Sequence, residues 1–80
     1  MGYFVRGRLQ SDNDRAIADY TEAINLDPKL ALAYNNRGNA YADKNDYGRA
    51  IADYEAALRI DPNFTSAKNN LDIARRNKLK

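Results

Sequence analysis

The side chains of this sequence that could do chemistry are carboxylates, amides and cations. The 80 residues include no cysteine and no histidine. The chain therefore lacks thiolate ligands, a cysteine nucleophile and the commonest general base of proteins. Asp12, Asn13 and Asp14 begin like a calcium loop, but the glycine and the distal glutamate of that motif are absent. Asp43 and Asp46 flank a predicted turn and suit helix caps better than acid–base catalysis. From these observations together we expect no enzyme activity, no cofactor and no metal site.

Charge is distributed unevenly along the chain, whose net charge is +2. Residues 12–62 hold ten acidic and six basic side chains, whereas residues 68–80 hold five basic and one acidic. The basic segment 75–80 could contact phosphate, but no aromatic residue alternates with its cations. Nucleic-acid binding is therefore a lesser alternative to a solvated chain end. No apolar stretch approaches the roughly 18–20 residues that span a bilayer, and a soluble, cytoplasmic protein is the default expectation.

Amphipathic spacing predicts an all-α chain with no β-strand. The predicted helices are 13–26, 31–44, 47–59 and 65–77, preceded by a short helix at 3–10 that Gly7 weakens. Ser11 or Asp12 is the predicted N-cap of the helix after it, and Asp46 that of 47–59. The residues predicted to face inward are Ala16, Ile17, Tyr20, Ala23, Ile24, Tyr34, Gly38, Tyr41, Ala50, Ile51, Tyr54, Ala57, Leu58, Ala67, Leu71 and Ala74.

One segment of the sequence recurs at a fixed distance. Residues 16–20 (AIADY) return unchanged as residues 50–54, 34 positions later. The same offset relates Ala23 to Ala57, Asp27 to Asp61, Pro28 to Pro62, Asn35 to Asn69 and Asn36 to Asn70. A period of this size is typical of stacked repeats, and residues 31–64 form one complete unit.

These residues resemble the tetratricopeptide repeat, whose pattern is W-x2-L-G-x2-Y, then A-x3-F, then P. The matching positions are Tyr34, Arg37, Gly38, Tyr41, Ala50, Tyr54 and Pro62, with the small Ala57, and the second half of the unit recurs as Ala16, Tyr20, Ala23 and Pro28. The resemblance implies helix-turn-helix hairpins that stack into a superhelix. Arg37 stands where the family usually has leucine. We expect its stem to stack on an aromatic ring and its head to pair with a carboxylate, with binding of a ligand anion as the alternative.

The resemblance implies a single domain over residues 1–80. It comprises a degenerate first repeat (3–28), a complete repeat (31–64), a C-terminal capping helix (65–77) and a basic tail (78–80). Tyr3, Arg6 and Gly7 match the complete repeat at an offset of 31, so the first repeat is three residues short.

Because about three repeats are usually needed for stability, we predict self-association, most simply a dimer. It would form by stacking or by helix exchange, with 3–26 as a hairpin or one continuous helix. The alternatives are a monomer or a piece of a longer array.

The resemblance also implies a concave groove, lined by the first helix of each hairpin, that usually holds a peptide or protein segment. The matching positions are Leu32, Asn35, Asn36, Asn39, Ala42, Asp43, Ser66, Asn69, Asn70 and Ile73. An asparagine amide can donate to a peptide carbonyl and accept from a peptide N–H, although a contact between helices is the alternative for each one. One branch of the family holds a C-terminal carboxylate in a clamp of two asparagines and several lysines or arginines. That clamp is incomplete here, because Ser66 and Asn70 stand where it needs cations. The predicted function is a non-enzymatic protein–protein interaction module; the alternative is a structural or engineered repeat scaffold without a ligand.

Overall fold

The computed structural model describes residues 12–80 of the chain. This part contains four helices and no strand: α1 (Asp12–Leu26), α2 (Ala31–Asp43), α3 (Tyr47–Ile60) and α4 (Thr65–Leu79). The all-α prediction is confirmed for these residues. The predicted helix at 3–10, the shortened turn after it and the capping role of Ser11 lie outside the described residues.

The helix ends differ from the predicted ones by at most two residues. Asp12 is the first helical residue of α1, so it is not the cap that precedes the helix. α4 continues through Lys78 and Leu79, which makes most of the predicted tail 78–80 helical. Basic side chains interact favourably with the negative end of a helix, so this segment contains nothing that would stop α4 at residue 77.

The turn between α2 and α3 is built by backbone hydrogen bonds and one unusual residue. The N–H of Asp46 donates to the carbonyl of Tyr41 (2.9 Å), and that of Asn45 donates to Ala42 (2.8 Å). This pattern needs a left-handed residue after the helix, and Asn45 supplies it with a φ of 64°. The carboxylate of Asp46 then accepts from the N–H of Arg49 (3.3 Å), which confirms its predicted capping role. The chain reverses within three residues and lays α3 against α2.

The two Asp-Pro connections have the same local structure. Asp27 Oδ1 accepts from the N–H of Lys29, and Asp61 Oδ1 accepts from the N–H of Asn63, each at 3.1 Å. A carboxylate that bonds the backbone two residues ahead closes a local turn, which explains why aspartate recurs at this place. α1 and α3 are therefore each connected to the next helix through the same kind of turn.

The helices pack in sequence order: α1 on α2, α2 on α3 and α3 on α4, with a further contact between α2 and α4. The buried apolar residues of the described part are mostly small. They are Ile24, Ala33, Ala40, Ala50, Tyr54, Ala57, Ala67, Leu71 and Ala74. Alanine at a contact lets two helices approach closely, so the core is thin and relies on a few large side chains to fill it.

Burial agrees with the amphipathic pattern in some helices more than in others. Ala67, Leu71 and Ala74 are all buried, as predicted for the last helix. In α1, Ile24 is buried but Ile17 is only half-buried. The sequence analysis missed the buried residues Ala33, Asn35 and Ala40 of α2. α2 contacts all three other helices, so it buries more than the single face that amphipathic spacing detects.

Candidate functional site

A pocket of about 180 Å³ lies where α2, α3 and α4 meet. Its lining residues are Asn39, Ala42, Asp43, Tyr47, Tyr54, Asn70, Ile73, Ala74 and Asn77. Five of the ten candidate groove residues are brought together here, namely Asn39, Ala42, Asp43, Asn70 and Ile73.

The hydrogen bond between Tyr54 and Asn39 sets the orientation of one pocket amide. The Tyr54 hydroxyl lies 2.6 Å from Asn39 Oδ1. Burial raises the pKa of Tyr54 to about 12, and the carboxylates of Asp43 and Asp53 add to the effect. The hydroxyl therefore stays protonated at neutral pH and donates to the amide oxygen. The Asn39 nitrogen, which carries two donors, has no partner among the described residues.

In Asn70 the amide nitrogen is hydrogen-bonded and the amide oxygen is not, which is the reverse of Asn39. Its Nδ2 donates to Asn35 Oδ1 (3.2 Å) and, more weakly, to Ser66 Oγ (3.5 Å). Its own amide oxygen has no partner within residues 12–80. Asn35 is only 4% exposed, so it holds Asn70 in place and offers little surface to a ligand. For Asn35 the geometry matches the alternative interpretation, a contact between helices.

The other groove candidates lie outside this pocket. Leu32 is 57% exposed on α2, Asn36 is half-buried, and Ser66 and Asn69 are exposed on α4. Four lining residues were not among the groove candidates. Tyr54 and Ala74 were predicted to face inward, whereas Tyr47 and Asn77 were in neither group. Asn77 could have been found from the sequence, because it follows the candidate Asp43 by the repeat length of 34.

Two models of known protein families match this chain. The model described as tetratricopeptide repeat matches residues 31–64, and the one described as TPR repeat matches residues 8–44. The chain belongs to the tetratricopeptide repeat (TPR) family. TPR repeats generally mediate protein–protein interaction. The pocket lies between the hairpin of α2 and α3, which the first model matches, and the helix α4 that follows it.

Arg37, at the usual leucine position of the TPR pattern, forms the most connected polar cluster of the described chain. Its Nε and one terminal nitrogen each donate to Asp53 at 2.8 Å, and the other terminal nitrogen donates to Thr21 Oγ1 at 3.2 Å. Its guanidinium also lies 5.5 Å from the ring centre of Tyr34. The hydrogen bond to Asp53 raises the pKa of Arg37, which keeps it charged. The predicted carboxylate pairing is confirmed, and Asp53, 5% exposed, is the partner that the sequence did not identify. The contact with an aromatic ring is made by the charged head and not by the stem for which it was predicted.

One of the basic residues near the C-terminal end of this TPR chain is held in an ion pair. Arg75 pairs with Glu55 at 3.3 Å, whereas Arg76, Lys78 and Lys80 are exposed. A second, open pocket of about 450 Å³ lies beside these residues, lined by Ile51, Arg75, Lys78 and Leu79.

Two further observations concern residues 12–80 alone. None of their helices is long and apolar enough to cross a membrane. Their acidic side chains form no group of three or more that could hold a metal ion.

Proposed function

We propose that this TPR chain is a non-enzymatic interaction module whose pocket holds an extended segment of a partner protein. The observation that carries the proposal is the complementary pair of amides, Asn39 with unpaired donors and Asn70 with an unpaired acceptor. A peptide backbone presents both a carbonyl acceptor and an N–H donor at each residue. Two fixed amides of opposite polarity can therefore bind one stretch of backbone in one register.

The size and lining of the pocket support a peptide more than a small molecule. Ligand pockets for small molecules usually enclose about 300–1,000 Å³, and this one encloses about 180 Å³. That volume suits one inserted side chain of a longer segment. Ile73, which is 52% exposed, and Ala42 supply apolar surface beside the amides. Burial of Ile73 by the partner would add to the affinity in proportion to the apolar area covered.

Self-assembly is a second candidate function, suggested by the short first repeat. The face of α4 that corresponds to the Tyr34, Gly38 and Tyr41 face of α2 argues against stacking on α4. The positions that correspond to Tyr34, Gly38 and Tyr41 of α2 are Lys68, Asp72 and Arg75 in α4. All three are exposed. A charged face is what the ends of repeat stacks need for solubility.

The proposal is tested by selecting peptides from a phage-displayed library of random linear octapeptides with the full-length chain as bait. We expect an enriched set of peptides and, for Ile73→Gln, a several-fold loss of affinity measured by fluorescence polarisation. Leu26→Gln is the matched control, because Leu26 is 82% exposed on α1 and does not line the pocket. A wild-type chain that enriches no peptide, or an equal loss in both variants, would remove the pocket from the proposed function.

A further inference from the structure

The pocket contains a carboxylate in an electrostatically unfavourable place. Asp43 is the last residue of α2, where the partial charge of the helix end is already negative. It is exposed, and no described residue forms an ion pair or hydrogen bond with it. The neighbouring cation, Lys44, pairs with Asp14 of α1 instead. Nothing in the local structure compensates the charge of Asp43, so its carboxylate contributes little to folding and is available to a ligand.

The rest of the lining suits a cation. The pocket residues include one carboxylate and no lysine or arginine. Two aromatic residues, Tyr47 and Tyr54, line it beside Asp43. Tyr54 is 2% exposed, so the half-buried Tyr47 is the ring that a ligand can reach. Aromatic faces and carboxylates both attract cations, and an arginine or lysine side chain also has an apolar stem that can lie against Ile73.

Resting on the proposed function, we infer that the pocket selects a partner segment that carries a lysine or arginine, whose charged end lies at Asp43. The amides of Asn39 and Asn70 bind the backbone of that segment, and the pocket volume of about 180 Å³ accommodates the single basic side chain. The specificity is opposite to that of a clamp for an acidic chain end, which would place cations in the groove.

The test uses the full-length chain labelled with 15N and pools of acetylated, amidated octapeptides. Each pool has one fixed central residue: arginine, lysine, glutamate or citrulline, the uncharged analogue of arginine. We expect the arginine and lysine pools to shift the resonances of Asn39, Asp43 and Asn77. Half-saturation should occur at concentrations about three- to fivefold lower than for citrulline, which is the scale of a partly exposed ion pair with aromatic neighbours. The difference should shrink as salt is added.

Two variants assign the effect to one carboxylate. Asp43→Asn should abolish the preference for arginine over citrulline. Asp72→Asn removes the same charge from an exposed position of α4 that does not line the pocket, and it should leave the preference intact. Circular dichroism should show that both variants fold, because neither carboxylate has a partner among the described residues.

The outcomes separate the inference from the function on which it rests. Equal binding of the arginine and citrulline pools, or a preference that survives in Asp43→Asn, overturns the selection of a cation and leaves peptide binding standing. If no pool shifts the pocket resonances, or if the shifts map elsewhere, both the inference and the proposed function are overturned.

Discussion

At the scale of single residues, Arg37 shows how a charge can occupy a position that this family usually fills with leucine. The guanidinium needs a carboxylate, and Asp53 meets it with two bonds of 2.8 Å from the neighbouring helix. Thr21 takes a third bond. One polar cluster thus connects α1, α2 and α3, with Arg37 19% and Asp53 7% exposed at their side chains. Such a cluster fixes the relative positions of helices more specifically than leucine does, because each bond has a direction.

We predict that Arg37→Leu destabilises the chain even though leucine is the usual residue. The substitution leaves the carboxylate of Asp53 buried without its partner, at a cost of about 2–4 kcal/mol in the free energy of unfolding. Asp53→Ala in the same chain should recover much of that loss. Urea unfolding of the two single variants and the double variant measures the coupling. Effects that simply add, to within about 0.5 kcal/mol, would contradict a direct interaction between the two side chains.

Tyr54 should make stability depend on alkaline pH. Its pKa is about 12 in the folded chain, against about 10 for an unperturbed tyrosine. Between these values the unfolded chain loses the phenolic proton and the folded chain keeps it. The contribution is therefore complete below about pH 10 and is lost as the pH rises to about 12. Ultraviolet absorbance should show one phenol that titrates late in the wild-type chain and is missing in Tyr54→Phe; a late phenol that persists in that variant would assign the shift to another tyrosine.

At the scale of helices, the pairing of α2 with α3 depends on the absence of a side chain at Gly38. A Cβ at this position would lie 2.7 Å from one ring carbon of Tyr54 and 2.9 Å from another. Tyr54 is 2% exposed and hydrogen-bonded to Asn39, so its ring has little freedom to move away. Gly48, on α3, is different, because a Cβ there would meet nothing within 4 Å.

Gly38→Ala should therefore destabilise the chain by about 1–3 kcal/mol, the usual cost of inserting a methyl group into a packed contact. Gly48→Ala makes the same chemical change in open space and should be neutral or stabilising by up to about 1 kcal/mol through helix propensity. Thermal unfolding followed by circular dichroism compares them. Similar melting temperatures for the two variants would mean that Tyr54 yields easily and that the close approach at Gly38 does not limit the pairing.

The helices were easier to predict from the sequence than the site. Apolar spacing and the two Asp-Pro pairs place the helix ends within two residues, because these signals act locally. The burial of Asn35 depends on α4, which packs on α2 from 35 residues further along the chain. The choice of Asp53 as the partner of Arg37 depends on how α3 faces α2. No local pattern contains those distances. Whether a groove position of the repeat lines the pocket, contacts another helix or stays exposed therefore depends on the three-dimensional packing.

At the scale of the whole molecule, the first helix of the complete repeat and the last helix of the described chain have faces of different chemistry. α2 and α4 begin 34 residues apart, at Ala31 and Thr65, so their faces can be compared position by position. Where α2 offers Gly38 to the ring of Tyr54, α4 carries the exposed Asp72. A Cβ at Gly38 would lie 2.7 Å from the Tyr54 ring, and an aspartate side chain is larger than a methyl group. A helix that packed on α4 with a ring at the place of Tyr54 would therefore meet the side chain of Asp72.

Restoring the α2 face should make α4 a docking surface. The triple variant Lys68→Tyr, Asp72→Gly, Arg75→Tyr replaces three charges with the residues that α2 carries at the corresponding positions. It exposes two tyrosine rings around a position where a helix can approach closely, and such apolar faces promote association. Light scattering at tens of micromolar should give a larger mass for this variant than for the wild-type chain.

The decisive control is the double variant Lys68→Tyr, Arg75→Tyr, which adds the same rings but keeps Asp72 between them. If Asp72 blocks the approach, the double variant should have the wild-type mass, and an increase equal to that of the triple variant would show that apolar area alone drives association.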